Sequence, residues 1–376
     1  MDRANVVIVG GGVVGCAIAC ALSSRWDDVF VLESLPKLGM LTSTRNSGVI
    51  HSGIYYPPGS LKARHCVRGN ELLYEFCAAN HVPHNKIGKI VVAASLDEEK
   101  ELLSLLANGR ENGVEGLRMI NREAIRAREP HVEGCCALEV PSTGILSSED
   151  LVKTFARVAT DRGASILNHA KVTRLEPLAD AIRVTSQAGE IETRCFINSA
   201  GLFADEIAAM LGSPMASHKI YPVRGEYCEL VRSKQDWVRG LVYPVPHAAG
   251  LSLGVHLTKT LWGNVLVGPT AHYIDDKNDY EGNREPIADF ARGAKQLLPG
   301  IEPSDFVLAY SGIRPKLIPP SSPAVQAHGK GIADFIVERD PKFPRVVHLM
   351  GIESPGLTSA PAIAEQVTGL VAEILN

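Results

Sequence analysis

The segment VVIVGGGVVG, residues 6–15, begins with four β-branched residues and continues with three consecutive glycines and a fourth at position 15. A short apolar run of this kind is typical of a strand buried on both faces of a parallel sheet. Residues 13–23 then carry apolar side chains at helical spacing, and the apolar run at residues 29–32 predicts another strand. The chain therefore opens with a strand, a helix and a strand, which predicts an α/β fold.

The glycines of this segment have the spacing G-x-G-x-x-G, which is typical of a dinucleotide-binding turn. Gly10 would form the tight turn, Gly12 would let the backbone approach a pyrophosphate, and Gly15 would let the helix pack on the strand. Glu33 ends the next strand, where its carboxylate can accept hydrogen bonds from ribose hydroxyls. The alternative is a tight turn without a ligand, and the motif alone does not choose between FAD and NAD.

The length and composition restrict the class of protein. A chain of 376 residues exceeds one ordinary core, so we expect two domains or one large domain with insertions. The sequence is 45% hydrophobic and 21% charged, which excludes a disordered or collagen-like chain. The formal net charge is −4, so no global basic field attracts nucleic acid. We therefore predict a small-molecule partner and no nucleic acid.

The eight cysteines contain no C-x-x-C pair and lie mostly in apolar runs, which favours buried thiols in a reducing compartment. The apolar segment at residues 6–22 is shorter than the ~20 residues that a membrane-spanning helix needs, and four glycines interrupt it. The histidines lack metal-binding spacing. We predict a cytoplasmic protein with no transmembrane segment and no metal site, and leave peripheral attachment to a membrane open.

The remaining chain changes in character along its length. Residues 39–59 form a long polar and glycine-rich segment without periodicity, and long ordered loops are usually functional. An amphipathic helix is predicted at residues 60–80, with Ser60 as its N-cap. Residues 221–269 alternate apolar and polar side chains between turn signals, which predicts an antiparallel sheet different in kind from the first part.

Several longer stretches resemble the D-amino-acid oxidase superfamily of flavoproteins and, within it, the L-2-hydroxyglutarate dehydrogenases. The most specific is RNSGVIHSGIYY, residues 45–56, which is similar to the flavin-contacting segment of that family. Between Gly268 and Gly312 the chain is shorter than eukaryotic members, so we expect compact bacterial-type relatives. The family's motif order is also followed by residues 59–63, 198–201, 222–227, 243–246, 253–258, 268–269, 312–315 and 351–358.

This resemblance implies a Rossmann-like FAD-binding domain of the glutathione-reductase type with an inserted antiparallel-sheet substrate domain. The FAD-binding domain would combine residues 1–80, 147–219 and 304–376. The substrate-binding domain would combine residues 81–146 and 220–303.

The resemblance also implies an activity. The expected reaction is FAD-dependent oxidation of a small L-2-hydroxy acid by hydride transfer to N5 of a noncovalent flavin. The first candidate reaction is the oxidation of L-2-hydroxyglutarate to 2-oxoglutarate. A glycerol-3-phosphate or amino-acid oxidoreductase on the same fold is the alternative within enzymes. A noncatalytic dinucleotide-binding protein and an NAD-dependent dehydrogenase remain as other classes. The electron acceptor stays open between a quinone, oxygen and a carrier protein.

Two histidines are candidates for the base that removes the proton of the substrate hydroxyl. His51 lies in the flavin-contacting segment, and a neutral imidazole near pH 7 suits that step. It can equally be a histidine whose hydrogen bonds to backbone hold the loop. His256 is the rival base, or simply one residue of a strand whose side chains alternate between the two faces of a sheet.

Arg314 is the candidate for binding the substrate carboxylate, because a guanidinium grips a carboxylate through two parallel hydrogen bonds. The alternative is a surface ion pair. Lys316, Tyr243 and Thr258 are lesser candidates for binding a second carboxylate. Tyr56 is a further candidate substrate-binding residue, and for Tyr55 and Tyr56 the alternative is packing of the loop.

The resemblance places the cofactor against several separated stretches. Residues 354–358 open the last helix, whose N–H groups and dipole would face the flavin, and the alternative is a proline-initiated helix without a ligand. The complete predicted FAD-binding set is Gly10, Gly12, Val13, Val14, Gly15, Glu33, Ser43, Arg45, Asn46, Ser47, Val172, Ala200, Gly201, Gly312, Arg314, Ser354, Gly356, Leu357 and Thr358.

Overall fold

The computed structural model describes residues 2–246, 254–322 and 333–376. Its helices are α1 (Val13–Leu22), α2 (Leu61–Ala79), α3 (Glu99–Glu111), α4 (Arg122–Arg128), α5 (Ser148–Asp161), α6 (Ala204–Met210), α7 (Ile287–Ala294) and α8 (Gly356–Leu375). Its strands are β1 (Asp2–Val9), β2 (Val29–Leu32), β3 (Val49–Ile50), β4 (His84–Asn85), β5 (Lys89–Ala93), β6 (Arg118–Asn121), β7 (Cys136–Val140), β8 (Gly144–Leu146), β9 (Ser165–Leu167), β10 (Val172–Pro177), β11 (Ile182–Ser186), β12 (Gly189–Asn198), β13 (Tyr221–Leu230), β14 (Leu241–Pro244), β15 (His256–Lys259), β16 (Val265–Gly268), β17 (His272–Tyr273), β18 (Phe306–Lys316), β19 (Ile336–Arg339) and β20 (Val346–Met350).

The first large sheet, here called the main sheet, is built around β1. Its parallel strands follow the order β9, β2, β1, β12 and β20. The hairpin of β10 and β11 extends the first half of β12, and β19 pairs antiparallel with β20. The sequence prediction of a strand, helix and strand at the start of a parallel sheet is therefore confirmed.

Helices cover both faces of the main sheet, because alternate residues of its strands point to opposite sides. Val6 and Ile8 of β1 join a core with α1, α5 and α8, and α2 packs on α8. Val7 and Val9 join a second core with α6 and the hairpin of β10 and β11. Helix α1 is apolar around most of its circumference because it is enclosed by α5 and α8.

The other large sheet, here called the second sheet, follows the order β17, β13, β16, β15, β14, β5, β7 and β6, with β18 also paired to β13. Its neighbours are antiparallel except for β5 and β14, which run parallel. Ile90 and Val92 of β5 face a core that includes α7, whereas Val91 and Ala93 face a core that includes α3. The predicted antiparallel sheet is therefore present, and the overall fold class is confirmed.

The predicted domain boundaries stay a prediction. The described strands of the main sheet come from residues 2–32, 165–198 and 336–350. Strand β18 is assigned to the FAD-binding domain by the predicted boundary at residue 304, yet it pairs with β13 of the second sheet. The stretches 247–253 and 323–332, which fall within the predicted domains, lie outside the described residues.

Two local expectations about helices can be compared with the structure. Ser60 caps α2 as predicted, because its side-chain oxygen accepts a hydrogen bond from the backbone N–H of Ala63. Among the described helices, none combines the length and apolar character that crossing a bilayer requires.

Helix α2 crosses α8 at Gly69, and this close approach generates a prediction. A β-carbon on Gly69 would lie 2.3 Å from the carbonyl oxygen of Thr358 and 2.9 Å from the α-carbon of Ser359. We expect Gly69→Ala to destabilise the protein by about 1–3 kcal/mol, because the two helices must separate. Thermal unfolding followed by circular dichroism measures the loss.

Gly369→Ala in α8 is the matched control, since nothing lies within 4 Å of its would-be β-carbon. This variant should be stabilised by up to about 1 kcal/mol through helix propensity. Equal melting temperatures for the two variants would contradict the packing argument.

Candidate functional site

A cavity of about 1070 Å³ extends from the carboxyl ends of the main sheet's strands to the second sheet. Most positions predicted for the site line it, from all of the separated stretches that the resemblance brought together. They are Gly10, Gly12, Val13, Val14, Glu33, Ser43, Arg45, Asn46, Ser47, His51, Tyr56, Val172, Ala200, Gly201, Tyr243, His256, Gly312, Arg314, Lys316, Ser354, Gly356 and Leu357.

The other three predicted positions, Gly15, Thr258 and Thr358, stand outside this lining and support it. A β-carbon on Gly15 would lie 2.0 Å from the carbonyl oxygen of the first glycine of the turn, so α1 can pack there only without a side chain. Thr258 is buried on β15, which pairs with the strand of Tyr243. Thr358 accepts the backbone N–H of His51 on its hydroxyl oxygen, at 2.9 Å.

The glycine turn forms a narrow cradle at the N-terminus of α1. Gly10 has a φ of +103°, which a side chain would strain. A β-carbon on Gly12 would lie 2.9 Å from the hydroxyl oxygen of Ser43, which accepts the backbone N–H of Val13 at 2.9 Å. Backbone N–H groups and the helix dipole favour an anion at such a position. The cradle therefore fits the pyrophosphate of a dinucleotide.

Glu33 is held in place at the edge of this cradle. Its two carboxylate oxygens accept the backbone N–H groups of Gly11 and Leu35, each at 2.8 Å, and the hydroxyl of Ser34 donates to it at 3.1 Å. A carboxylate has about four acceptor positions, so capacity remains for a further donor. Because Glu33 also lines the cavity, it can accept a ribose hydroxyl there.

The loop that carries His51 is fixed through its backbone. The His51 N–H donates to Thr358, and the His51 carbonyl accepts a hydrogen bond from the side-chain amide of Asn70 at 2.8 Å. Strand β3, just before His51, pairs with β8. The loop position is therefore set by groups other than the imidazole ring.

The two nitrogens of the His51 imidazole differ in their surroundings. Its Nε2 lies 3.3 Å from the hydroxyl oxygen of Ser354, whereas its buried Nδ1 has no hydrogen-bond partner among the residues that the structure describes. Burial, and secondarily the charge of Lys89, lowers the pKa of His51 to about 3. The ring is therefore neutral at physiological pH and can accept a proton from a ligand.

Arg314 extends from β18 across β13 to the cavity. A β-carbon on Gly225 would lie 2.5 to 2.9 Å from three atoms of its guanidinium, so the glycine leaves room for the side chain. One guanidinium nitrogen donates to the carbonyl of Thr270 at 3.2 Å. Within the described ranges, no carboxylate forms an ion pair with Arg314. The described residues therefore do not support the alternative of a surface ion pair, and the guanidinium of Arg314 can bind a ligand.

A buried carboxylate lies between two lysines beside Arg314. Glu353 is 2.9 Å from the amine of Lys62 and 3.2 Å from that of Lys316. Burial alone would raise the pKa of Glu353, but the two lysines outweigh it, so its pKa lies below the ordinary value. Burial is the main cause that lowers the pKa of Lys316. Three cationic side chains around one carboxylate favour an additional anion.

Tyr243 and His256 form one wall of the cavity. Their rings stack with centroids 3.6 Å apart and planes inclined by 11°. The hydroxyl of Tyr56 lies 3.5 Å from the hydroxyl oxygen of Ser354, so it is placed close to the His51 imidazole. The structure thus brings both candidate bases to the same cavity.

Sequence reasoning missed several contributors to this site. Lys62 and Glu353 lie within motifs that the resemblance covers, but their ion pair joins residues far apart in the sequence. Lys89 stands within the apolar run KIVVA, and a lysine in a buried strand was a signal that could have been used. Gly225 has no local signal, because its role depends on Arg314 from a different strand.

Comparisons with known proteins agree with the geometry of the site. The model of the family described as DAO, FAD dependent oxidoreductase, matches residues 5–370. An L-2-hydroxyglutarate dehydrogenase of Arabidopsis thaliana mitochondria is 35% identical, covering 97% of this chain and 83% of its own length. The L-2-hydroxyglutarate dehydrogenase of Escherichia coli is 32% identical, covering 99% of this chain and 94% of its own length.

Among solved structures, the dithionite-reduced L-alpha-glycerophosphate oxidase of Mycoplasma pneumoniae with FAD bound superposes with a TM-score of 0.87 and 27% identity. The superposition covers 99% of this chain and 95% of the oxidase. The predicted resemblance and the predicted cofactor, FAD, are confirmed. This chain is a member of the DAO family of FAD dependent oxidoreductases.

Proposed function

We propose that this enzyme oxidises L-2-hydroxyglutarate to 2-oxoglutarate. The observation that carries the proposal is the pairing of a neutral His51 and a cationic cluster within one cavity of about 1070 Å³. An α-hydroxy acid needs both features, a base for its hydroxyl and cations for its carboxylate. The names of the Arabidopsis and Escherichia coli relatives support the choice of substrate.

The cofactor is assigned to the part of the cavity nearest the main sheet. The cradle at Gly10 and Gly12 would hold the pyrophosphate, and Glu33 would accept the ribose hydroxyls. FAD supplies a two-electron acceptor for the hydride that leaves the substrate α-carbon. The turn at Ser354 and Gly356 lines the cavity next to the His51 loop.

His51 is assigned as the general base. Its Nε2 would take the proton of the substrate hydroxyl, because Nδ1 is buried, and Ser354 beside Nε2 keeps the ring oriented. The loop-holding alternative is weakened because Thr358 and Asn70 already hold the loop backbone. His256 is the weaker candidate, since its ring is stacked against Tyr243.

Arg314 is assigned to the carboxylate next to the reacting carbon. Its guanidinium is held over Gly225 without a carboxylate partner in the described chain, so its donors can form a bidentate contact with the substrate. Lys316 and Lys62 add positive charge to the same site, and Glu353 partly neutralises the charge of these two lysines. This arrangement orients an α-acid and leaves its hydroxyl free for the base.

Glycerol 3-phosphate is a second candidate substrate, favoured by the same cations, because a phosphate also binds to arginine and lysine. The L-alpha-glycerophosphate oxidase of Mycoplasma pneumoniae shares the fold at 27% identity. The two candidates differ in the anion that the cationic cluster would hold.

Anaerobic mixing of the FAD-loaded enzyme with a panel of substrates tests the function. We expect the flavin absorbance to bleach with L-2-hydroxyglutarate and not with its D-enantiomer, glycerol 3-phosphate, L-proline or glycine. Bleaching by glycerol 3-phosphate alone would replace the proposed substrate by the second candidate. A flavin that none of the hydroxy acids reduces would contradict the assignment to a CH–OH donor.

The assignment of the base predicts a strong effect of His51→Asn. The variant should retain FAD, yet its flavin reduction should slow by about 100-fold or more, because a positioned proton acceptor is lost. His256→Asn, the matched control, should reduce within a few-fold of the wild type. Rapid mixing under anaerobic conditions measures both rates, and the reverse order of defects would assign the base to His256.

The lowered pKa of His51 predicts the pH dependence of the same step. A base acts deprotonated, so the His51-dependent rate is lost only as the pH falls through the folded pKa of about 3. We expect no His51-dependent decrease in the flavin reduction rate between pH 8 and about pH 5, since the imidazole stays neutral there. An acid limb near the ordinary histidine pKa that His51→Asn removes would refute this.

The position of Arg314 over Gly225 predicts that two different variants share one defect. Arg314→Lys loses the bidentate geometry, and Gly225→Ala displaces an intact guanidinium. Both should raise the KM for the substrate by about 10-fold or more, since charged hydrogen bonds are lost, while FAD content stays unchanged. Gly300→Ala, whose would-be β-carbon meets only the ring of Trp237 at 3.5 Å, is the control. An unchanged KM in both variants would remove Arg314 from the substrate site.

A further inference from the structure

A buried lysine lies behind the cavity wall, apart from the cluster around Glu353. Lys89 is 0% exposed and extends from β5 toward the cavity. Its amine donates a hydrogen bond to the hydroxyl oxygen of Tyr55 at 3.3 Å. The amine also lies 4.4 Å from the ring centroid of Tyr55 and 4.7 Å from that of Tyr243. Two tyrosines therefore separate the ammonium group from the cavity that they line.

This ammonium group lacks a counter-ion. Considering the described residues, no carboxylate lies within the 4.0 Å of an ion pair with Lys89. An isolated buried charge is unfavourable, and the aromatic faces offset only part of that cost. Burial is the main cause that lowers the pKa of Lys89 to about 7. A methionine or leucine would fill the same space without this cost, so packing alone gives no reason for a lysine.

The contact with Tyr55 transmits the charge to the cavity. Because the Tyr55 oxygen accepts a hydrogen bond from the lysine, its own proton is free to be donated elsewhere. A hydroxyl that accepts from a cation is polarised and becomes a stronger donor. Tyr55 lines the cavity, so this donor can meet an anionic group of a ligand there.

Lys89 is distinct from the cations assigned to the reacting carboxylate. It belongs to β5, whereas Arg314 belongs to β18, and several strands of the second sheet separate the two. The cavity therefore offers cationic character at two separate positions, which suits a substrate with two carboxylates.

We propose that Lys89, acting through the hydroxyl of Tyr55, is a positioning residue that selects short 2-hydroxy acids with a second, distal carboxylate. The inference rests on the proposed function, since it concerns the distal end of that substrate. Arg314 holds the carboxylate next to the reacting carbon, and Tyr55 donates to the distal one. Lys89 touches neither the substrate nor the cofactor.

The experiment compares ligands that differ only in the distal group. The oxidised FAD-loaded enzyme is titrated with glutarate and with valerate, and binding is followed by the change in the flavin spectrum. Flavin reduction is measured with L-2-hydroxyglutarate and with L-2-hydroxyvalerate, which replaces the distal carboxylate by a methyl group. The proteins are the wild type, Lys89→Met, Tyr55→Phe, the double variant and the control Lys86→Met, which removes an exposed lysine near the same strand.

We expect Lys89→Met and Tyr55→Phe to weaken glutarate binding, and to raise the KM for L-2-hydroxyglutarate, by about 10- to 100-fold, the scale of a lost charged hydrogen bond. Valerate binding and the KM for L-2-hydroxyvalerate should stay within about 2-fold. The double variant should resemble Tyr55→Phe, because the lysine acts through the tyrosine. Lys86→Met should behave as the wild type.

Equal losses for both classes of ligand would show a structural role and overturn the proposal, as would unchanged glutarate binding in both variants. If Lys89→Met fails to retain FAD, the Tyr55→Phe comparison alone decides. Absence of flavin reduction by L-2-hydroxyglutarate in the wild type would contradict the proposed function. The titrations with glutarate and valerate would still decide the role of Lys89.

Discussion

The parallel pairing of β1 with β12 determines where the site lies. Its register runs from Asp2 opposite Ile191 to Val9 opposite Asn198. Because parallel strands end at the same edge of a sheet, the glycine turn after β1 and the turn after β12 meet there, and Ser199 donates its N–H to the carbonyl of Val9. All later contributions to the cavity, from the His51 loop, β18 and the start of α8, are arranged around this edge.

The charges in the cavity show how the protein separates two opposing requirements. A base must be neutral to accept a proton, whereas the substrate anion needs cations nearby. Burial keeps His51 neutral, while Lys62 and Lys316 remain close to a carboxylate that stabilises their charge. The positive charge of the two lysines therefore depends on their pairing with the carboxylate, and the neutrality of the His51 imidazole depends on its burial.

The features that residue spacing alone predicted correctly are local ones. The glycine turn follows from spacing within residues 6–15, and the Ser60 cap follows from one residue before a helix. The missed features depend on contacts between distant segments. Gly225 matters because Arg314 of another strand crosses it. The pairing of β18 with β13 likewise joins segments far apart in the sequence, while the predicted domain boundaries stay a prediction. A motif identified the Arg314 segment, but only the fold shows which sheet carries it.

The lysine behind the tyrosines also bears on the base. A general base works best with a pKa near the operating pH, and a pKa of about 3 makes His51 a weak acceptor in the empty cavity. The charge of Lys89 is one of the two causes of that low pKa, after burial. An anionic carboxylate held by Tyr55 would offset the charge of Lys89 and so raise the pKa of His51. A dicarboxylic substrate would then strengthen the base that acts on it, whereas a substrate without the distal carboxylate would leave the base weak. Selectivity would therefore arise in the proton-transfer step as well as in binding, from the same ammonium group.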